Sequence, residues 1–481
     1  MRNCFFLLCL IMVTGCASIQ NVPKRNIVMV NGRGELVDPG PNLFGRYCKM
    51  RPLKSIGDEE ARQAYYRNVI KQFRSNIASQ KARGEKKLRV MVFIHGGLNT
   101  QVKTVERAEL IYRHMAQDEE HDFFAPIFIN WQSSLASTYW DHLAHIRQGK
   151  DWSGGCSGAV SYTLVPLYLV SDVVKAVGRA PIVWCMQLAN VRHILNRWEK
   201  QMRPARSRYK NMPEEYKYEI RQGDKKATTL HIVENMVSTL AFLPVRLVLT
   251  PFVDALGSSA WDNMNRGTNI SLDNDKDFET NRFEAASGPV AEFIDLLAKE
   301  IDNVNDELEV TLVGHSMGAI IINNLIRRYG YELPVSNIVY MAAACSVRDY
   351  QDTIFPYMEK KPGVQMYHLV LHDLSEINER LWMQPDVIPR GSLLLWIDNF
   401  LAKPSTRLDR TAGRYVNLIT ADHLTPTNLL KDIHIKQFDY GRHLASEQPQ
   451  KHGDFGRFTF WREAFWKPKG DPRRYHLIEE D

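Results

Sequence analysis

The chain has 481 residues, and 44% of them carry hydrophobic side chains, which is enough apolar material for a large buried core. Its 61 lysines and arginines nearly balance its 55 aspartates and glutamates, and the basic residues are scattered along the chain. The net charge of +6 therefore gives no indication of nucleic-acid binding, and the sequence contains no glycine-rich phosphate loop, internal repeat or low-complexity tract.

Residues 1–15 predict a signal peptide. Arg2 precedes an apolar run that is too short to span a bilayer, and the run ends in Val13-Thr14-Gly15-Cys16. This tetrapeptide resembles a bacterial lipobox, in which cleavage before the cysteine exposes it for acylation. We therefore expect the mature chain to begin at Cys16 and to be held on a membrane by its acyl chains, since each buried methylene adds about 0.8 kcal/mol. Because Ala17 is not the aspartate that resembles an inner-membrane retention signal, we expect the outer membrane, with the protein facing the periplasm.

The cysteines agree with export from the cytoplasm. Cys4 and Cys9 leave with the signal peptide and Cys16 is the expected lipidation site, so four of the seven cysteines remain. These four, which allow three disulfide pairings, are Cys48, Cys156, Cys185 and Cys345. Cys345 ends a predicted core strand, where a simple buried thiol is also reasonable. No Cys-x-x-Cys pair or His/Cys cluster suggests zinc, so we expect neither a metal nor another cofactor.

Residues 16–85 form an N-terminal segment that begins rich in glycine and proline and ends in a helical pattern over residues 58–83. It leads into residues 87–94, an apolar run that predicts a buried strand. The strand ends in His95-Gly96-Gly97. An acyl-transfer site needs backbone N–H groups that reach the developing oxyanion without a side chain in the way. We therefore predict the Gly97 N–H as one oxyanion donor.

Residues 151–275 look inserted between two parts of a core. Residues 152–171 carry no charge, residues 237–253 carry only Arg246, and a highly charged segment, residues 196–226, lies between them. One interpretation is two core helices joined by a solvated loop. The other is a largely helical cap or lid whose apolar face covers an acyl pocket or touches the membrane, as interfacial amphipathic elements do.

Prolines and glycines in these apolar segments argue against regular membrane-spanning helices, because proline removes a backbone N–H and disturbs the helix around it. The residues concerned are Pro166, Pro244 and Pro251, together with Gly154, Gly155 and Gly158.

Residues 307–313 predict a short strand that runs into Gly314-His315-Ser316-Met317-Gly318 and then into a helical pattern. A nucleophilic serine in this setting occupies a strained turn between strand and helix, where a Cβ at either flanking glycine would collide with the neighbouring backbone. Ser316 is therefore the candidate nucleophile, and the Met317 N–H is the second predicted oxyanion donor.

The two motifs together, His-Gly-Gly after one strand and Gly-His-Ser-Met-Gly between a later strand and a helix, resemble the α/β-hydrolase superfamily. The resemblance covers about residues 86–150 and 276–466, and residues 467–481 remain as a polar tail. It implies an α/β fold with a mostly parallel sheet flanked by helices. It also implies Ser316 after the fifth strand of that fold, an acid after a later strand, and a histidine near the C-terminus.

The resemblance places the acid after one of the later predicted strands, which are residues 337–344, 364–371 and, less regularly, 433–438. The acid normally follows the second of these, where the loop offers Asp373 and Glu376. Asp373 is slightly favoured and Glu376 stays open. An acidic residue just after a strand is often only a solvated turn or helix-cap residue.

Four late histidines are candidates for the base, and three of them must be bystanders: His423, His434, His443 and His452. His452 heads a glycine-bearing loop that leads into an aromatic, helix-like run over residues 458–466. That setting, a loop before the final helix, is where the superfamily carries its histidine, so we choose His452. His423, which follows the strand-like residues 415–420, is the alternative. The chemistry needs one imidazole within reach of Ser316 and a carboxylate that holds its tautomer.

The sequence thus predicts a lipid-anchored serine hydrolase of the cell envelope, similar to an esterase or lipase, that acts on a small-molecule or lipid acyl substrate. Two alternatives stay open: an acyltransferase with the same first half-reaction, and a non-catalytic hydrolase-like binding protein, since fold does not fix function. Candidates for serine, acid and histidine in the expected chain order favour catalysis.

Overall fold

The structure is a computed structural model. It describes residues 26–39, 55–118, 124–147, 150–152, 155–201, 237, 240–273, 288–304, 307–380, 390–441, 444–468, 470 and 474–478. The signal peptide, Cys16, Cys48 and His443 lie outside the described residues.

Seven parallel strands form the central sheet. In chain order the strands are β1 (Ile27–Val30), β2 (Leu88–Ile94), β3 (Ala125–Trp131), the short β4 (Ile146–Arg147) and β5 (Lys150–Asp151), β6 (Leu308–His315), β7 (Val335–Met341), β8 (Gln365–Leu371) and β9 (Ile433–Phe438). The order across the sheet is β1-β3-β2-β6-β7-β8-β9, and every neighbouring pair is parallel. β4 and β5 form a separate antiparallel pair.

The helices, in chain order, are α1 (Glu59–Ala82), α2 (Gln101–Gln117), α3 (Leu135–Ala144), α4 (Gly155–Gln201), α5 (Leu243–Ile270), α6 (Pro289–Asp302), α7 (Gly318–Tyr329), α8 (Val347–Lys360), α9 (Asp373–Asn378), α10 (Leu393–Trp396), α11 (Tyr415–Ala421) and α12 (Glu463–Trp466). They flank the sheet, which confirms the predicted α/β class. The helix predicted over residues 58–83 is α1, and its first turn is capped by Asp58, whose carboxylate accepts the Ala61 N–H at 2.9 Å.

Continuous apolar runs explain why the inner strands lie where they do. β3 is buried at all seven positions and β2 at six of seven. Parallel strands that are covered by helices on both faces do not alternate between polar and apolar residues. The strands predicted at residues 87–94 and 433–438 are β2 and β9, and the other two later predictions correspond to β7 and β8 with ends shifted by one to three residues.

The sheet begins within the N-terminal segment. β1 pairs in parallel with β3 at the edge of the sheet, and all four of its residues are buried. Its partner helix α1 is tied to α6 by the Tyr66 hydroxyl, which donates to the Pro289 carbonyl at 3.0 Å. The described part of residues 16–85 therefore packs as part of the same core.

Two local predictions were wrong. Residues 415–420 form a helix, α11, rather than a strand, because the buried residues Tyr415, Leu418 and Ala421 are spaced by three, which matches one helix face. In the aromatic run of residues 458–466, only Glu463–Trp466 is helical. Phe458 instead forms an antiparallel bridge with Leu477, which lets the aromatic side chains of this run pack into the core from an irregular backbone.

The prolines and glycines of residues 151–275 were expected to argue against regular membrane-spanning helices, and the structure shows that α4 is nevertheless one continuous helix. This helix of 47 residues continues through Pro166 and Pro181, and both prolines lie on its exposed side. In α5, Pro244 lies in the first turn, where the missing N–H costs little, and Pro251 lies inside the helix. Residues Cys156–Met186 of α4 are long and apolar enough to cross a membrane, by length and composition alone.

Candidate active site

Ser316 occupies the turn between β6 and α7. β6 is the central strand, and among the described residues it is the fourth sheet strand along the chain, whereas the resemblance implied the fifth. The φ angle of Ser316 is +53°, a left-handed conformation that costs free energy for a residue with a side chain. Three backbone hydrogen bonds hold it: the Ser316 N–H donates to Met341 O at 2.8 Å, and its carbonyl accepts the N–H groups of Ala344 at 2.9 Å and Ala319 at 3.2 Å. The turn therefore fixes the Ser316 side chain beside the carboxyl end of β7.

The flanking glycines are required by close packing. A Cβ at Gly314 would lie 2.7 Å from Ile322 Cδ1 and 2.8 Å from the Ala319 nitrogen. A Cβ at Gly318 would collide with the Ile94 carbonyl oxygen. This is the crowding that a nucleophile elbow imposes, and it brings the end of β2 against the start of α7.

The His-Gly-Gly turn after β2 lies directly against the Ser316 turn. A Cβ at Gly96 would be 2.8 Å from the Ser316 Cβ, and a Cβ at Gly97 would be 2.8 Å from Met317 Sδ. Asn99 Nδ2 donates to the carbonyls of Gly96 and Gly97 at 3.0 and 3.2 Å. Within the described part of the chain, neither the Gly97 N–H nor the Met317 N–H donates to a backbone carbonyl. The structure thus places Gly97 against the Met317 side chain, and the N–H groups of both residues lack a backbone acceptor among the described residues.

His95 has a structural role in this turn. Its Nε2 accepts the Trp131 N–H at 3.0 Å, and its Nδ1 lies 2.6 Å from Gly96 O, so the proton is on Nδ1 and donates to that carbonyl. Burial lowers the pKa of His95 to about 4, which keeps the ring neutral at physiological pH. His95 therefore orients the turn and is not a candidate base.

His452 lies next to the serine turn. It begins the short 3-10 helix His452–Arg457, and its carbonyl accepts a hydrogen bond from His315 Nε2 at 2.9 Å. The rings of His315 and His452 lie 5.2 Å apart. Burial, together with the neighbouring His315, moves the pKa of His452 well below its usual value, so the ring is neutral. Neither ring nitrogen of His452 has a hydrogen-bond partner among the described residues.

Two of the other late histidines lie in different surroundings. His423 is exposed in the 3-10 turn Asp422–Leu424, after α11. His434 lies on β9, bonds Gln365 Oε1 at 2.9 Å through Nε2 and stacks on Tyr367. His443 lies outside the described residues. Among the three of these histidines that the structure describes, His452 is the one that contacts the turn of Ser316, through its hydrogen bond with His315.

The predicted acids both lie on α9, directly after β8. Asp373 is nearly buried, and Glu376 is completely buried with its Oε2 accepting the Ser392 hydroxyl. Burial raises the pKa of Glu376 to about 7, although the positive charge of Arg414 acts in the opposite direction. The structure brings both carboxylates to the carboxyl edge of the sheet, but neither is hydrogen-bonded to the His452 ring.

A third carboxylate, which sequence reasoning missed, contacts His452 directly. Glu379 Oε2 accepts the backbone N–H of His452 at 2.9 Å. Although Glu379 keeps some solvent exposure, desolvation raises its pKa to about 8. Glu379 follows α9 directly, three residues after Glu376, and this closeness to the predicted acids was the available signal. Glu379 thus fixes the backbone that presents the His452 ring.

A buried ion pair supports the same region. Arg414 Nη1 donates to Asp398 Oδ2 at 2.8 Å, and Asn417 Nδ2 donates to the same oxygen at 2.9 Å. The adjacent Gly413 N–H donates to Ala343 O at 2.7 Å, and a Cβ at Gly413 would collide with the Ala343 backbone. The turn after β7, whose Ala344 N–H binds the Ser316 carbonyl, is therefore packed against the segment that contains Gly413 and Arg414.

Titration of Glu379 provides a test of its environment. Its pKa is about 8 in the folded protein against an ordinary value of 4.5, so between these pH values the native state binds more protons than the unfolded state. By linkage, its contribution to the free energy of unfolding is fully present below pH 4.5 and is lost as the pH rises through 8. Glutamine keeps the acceptor for the His452 N–H but does not titrate. The Tm of Glu379→Gln relative to wild type should therefore rise by a few degrees between pH 5 and pH 9.

Thermal melts over this pH range measure the effect, and Glu359→Gln, at an exposed position of α8, is the matched control. Parallel Tm curves for wild type and Glu379→Gln would contradict the raised pKa.

Among the described residues, no group of three or more His, Cys, Asp or Glu side chains is arranged to hold a metal ion. Cys156 and Cys185 are exposed free thiols, and Cys345 is a buried one. No protein-family model, curated protein or solved structure matches the chain. The chemistry of the site is therefore argued from its own geometry.

Proposed function

We propose that the chain is a membrane-anchored serine hydrolase of the α/β-hydrolase type that cleaves an ester or related acyl bond. The observation that carries the proposal is the arrangement around Ser316, which combines a left-handed serine turn, two amides that lack a backbone acceptor among the described residues and a neutral histidine in the neighbouring loop. Each of these features answers one need of acyl transfer: a nucleophile, an oxyanion site and a base.

In the proposed reaction, His452 removes the proton from the Ser316 hydroxyl as the oxygen attacks the acyl carbonyl. The oxyanion forms hydrogen bonds with the N–H groups of Gly97 and Met317. The His452 imidazolium then protonates the leaving group as the acyl bond breaks. Water, deprotonated by His452, attacks the acyl-enzyme, and the returned proton regenerates Ser316.

In the proposed reaction the acid that supports His452 is Asp373 or Glu376, and Glu376 is the less suited of the two. A carboxylate stabilises an imidazolium only when it is ionised, and Glu376, with a pKa of about 7, is only partly ionised at neutral pH. One oxygen of Glu376 is also engaged by the Ser392 hydroxyl. We assign Glu379 the different role of holding the His452 backbone.

Residues 151–275 are proposed to form a cap over the site. Helix α5 passes beside the oxyanion turn, since Met264 Sδ would lie 3.8 Å from a Cβ at Gly97. Ser316 is completely inaccessible to solvent in this arrangement. A cap that excludes water would strengthen the hydrogen bonds of the oxyanion site, because they would act in a medium of lower dielectric constant.

The function is tested by incubating the purified protein with a fluorophosphonate probe and with chromogenic esters of short and long acyl chains. We expect covalent labelling and ester turnover, both lost on heat denaturation. An alcohol acceptor added to the ester assay separates hydrolysis from acyl transfer by the product formed. A folded protein that neither reacts with the probe nor cleaves any ester would support a non-catalytic binding protein instead.

The membrane anchor carries its own prediction, motivated by Val-Thr-Gly-Cys after a short apolar run. Cells fed a palmitate analogue should incorporate label into the wild-type protein, and Cys16→Ser should remove the label because the acylated thiol is absent. Cys156→Ser, at an exposed cysteine, is the matched control and should keep the label. Undiminished label in Cys16→Ser would contradict lipidation at this residue.

A further inference from the structure

Helix α4 has the opposite polarity from a helix on the surface of a protein in water. The side packed against the rest of the protein consists mostly of small or polar residues, namely Gly158, Ser161, Asp172, Ala176, Ala180 and Val183. The exposed side is lined by large apolar residues, among them Val160, Leu167, Val170, Val174, Val177 and Ile182, each more than half exposed. A helix on a water-soluble surface buries its apolar face and exposes its polar one.

Two buried polar residues of α4, Asp172 and Ser161, have hydrogen-bond partners. Asp172, completely buried, accepts hydrogen bonds from Tyr139 and His142 of α3 and from Lys175, each at 3.1 Å. The Ser161 hydroxyl donates to the Ala144 carbonyl. The charged residues between positions 156 and 186 are Asp172, Lys175 and Arg179. Lys175 is 57% exposed, but it is paired with the buried Asp172.

Helix α5 runs antiparallel to α4 and extends the same surface. Arg179 forms a two-pronged ion pair with the buried Asp254, with bonds of 2.6 and 3.1 Å, and Trp184 Nε1 donates to the Leu247 carbonyl. On the outer side of α5, Val245, Val248 and Phe252 are exposed. The indole N–H of Trp184, although its ring is partly exposed, is satisfied without water.

We propose that this outer surface of α4 and the first part of α5 is seated in a lipid bilayer. Only 17% of the most apolar stretch of α4 is buried in the protein, so α4 is not a core helix. The apolar part of the helix, Cys156–Met186, has 31 residues, more than the ~20 that match the thickness of a bilayer. Small residues at the helix contacts and branched apolar residues outside are the pattern of helices that face lipid. The exposed side chains of α4 are mostly aliphatic, and they also include Tyr162 and Trp184.

This seating links the bilayer to the candidate site through one continuous helix. Phe252 and Val248 of α5 lie on the lipid-facing surface, and Met264 of the same helix lies beside Gly97. Contact of α4 with a bilayer requires neither the reaction at Ser316 nor acylation of Cys16.

Depth-dependent fluorescence quenching tests the inference in the full-length protein. Cys156 and Cys185 are replaced by serine, and a bimane fluorophore is attached through Val174→Cys or Val177→Cys on the outer side of α4. The protein is mixed with vesicles of phosphatidylethanolamine and phosphatidylglycerol that carry a nitroxide on the acyl chain. We expect strong quenching at both positions and an unchanged Tm, since both valines are exposed in the fold.

The matched control is Glu359→Cys on the exposed side of α8, where quenching should be at background level. Quenching at position 174 no greater than at position 359 would overturn the inference. Protection of position 174 from an aqueous quencher without vesicles, together with a doubled mass in solution, would also overturn it, because a second copy would then cover the surface. Fluorophosphonate labelling of the same samples is independent of these outcomes, so failure of the membrane surface and failure of the proposed reaction are distinguishable.

Discussion

Replacing Ser316 with alanine is expected to lower kcat for acyl esters by about four to six orders of magnitude and to remove fluorophosphonate labelling. The hydroxyl oxygen is the atom that attacks the carbonyl. Without it, only the oxyanion amides and substrate binding remain to promote the reaction. Residual turnover well above the uncatalysed rate is therefore still expected.

The variant should keep the stability of the wild type. Ser316 is completely buried and its hydroxyl has no hydrogen-bond partner among the described residues, so alanine leaves no acceptor or donor unsatisfied. Alanine also tolerates the left-handed backbone about as well as serine does. An unchanged Tm would show that lost activity reflects lost chemistry.

The measurement combines ester kinetics with mass spectrometry of the probe-treated protein, where the adduct should lie on Ser316. Ser271→Ala is the matched control, since Ser271 is also buried and its hydroxyl donates only to the nearby Thr268 carbonyl. It should keep full labelling. Labelling that survives in Ser316→Ala would assign the nucleophile elsewhere.

The strands and the elbow were predictable because their signals are local. Apolar runs that end in glycine-bearing turns specify a buried parallel strand and its exit, and the glycines around Ser316 are required by atoms within a few residues or on the neighbouring strand. The same local rule failed for residues 415–420, where β-branched residues suggested a strand and tertiary packing selected a helix.

Long-range contacts had no local signature. Glu379 meets His452 across 73 residues of sequence, and nothing in the neighbourhood of Glu379 indicated that partner. The setting of His452 in a loop before the last helix pointed to a segment that contacts His315 in the structure, although the run after it is mostly not helical. The choice between Asp373 and Glu376 needed the burial and hydrogen bonding that only the packed structure supplies.

The surface of α4 was not predictable because composition does not state which side of an apolar helix is covered. An uncharged segment is equally consistent with a core helix and with an exposed one. The burial pattern separates them, since Asp172 faces inward while Val174 is 64% exposed. The prolines did not mark a helix end either, since α4 continues through Pro166 and Pro181.

Replacing His452 with alanine is expected to reduce kcat by about three to six orders of magnitude, because every proton transfer of the proposed reaction passes through its ring. Fluorophosphonate labelling should slow strongly for the same reason. His434→Gln is the matched control. His434 lies on β9, is hydrogen-bonded to Gln365 and takes no part in the proposed chemistry. A near-normal rate in His452→Ala, with loss in His423→Ala, would transfer the role of base to His423.

The pH dependence of the wild type adds a second measure of the same residue. A base is active only when unprotonated, so activity falls as the pH drops through its pKa. Burial and the neighbouring His315 hold the pKa of His452 well below 6.5, so the acid limb of kcat/KM for the free enzyme should lie at a lower pH than an ordinary histidine gives. Substituting His315 by glutamine removes one contribution that lowers this pKa, and the limb should then move to higher pH. A limb that stays near 6.5 in both proteins would mean that the titrating base is a solvent-exposed histidine rather than His452.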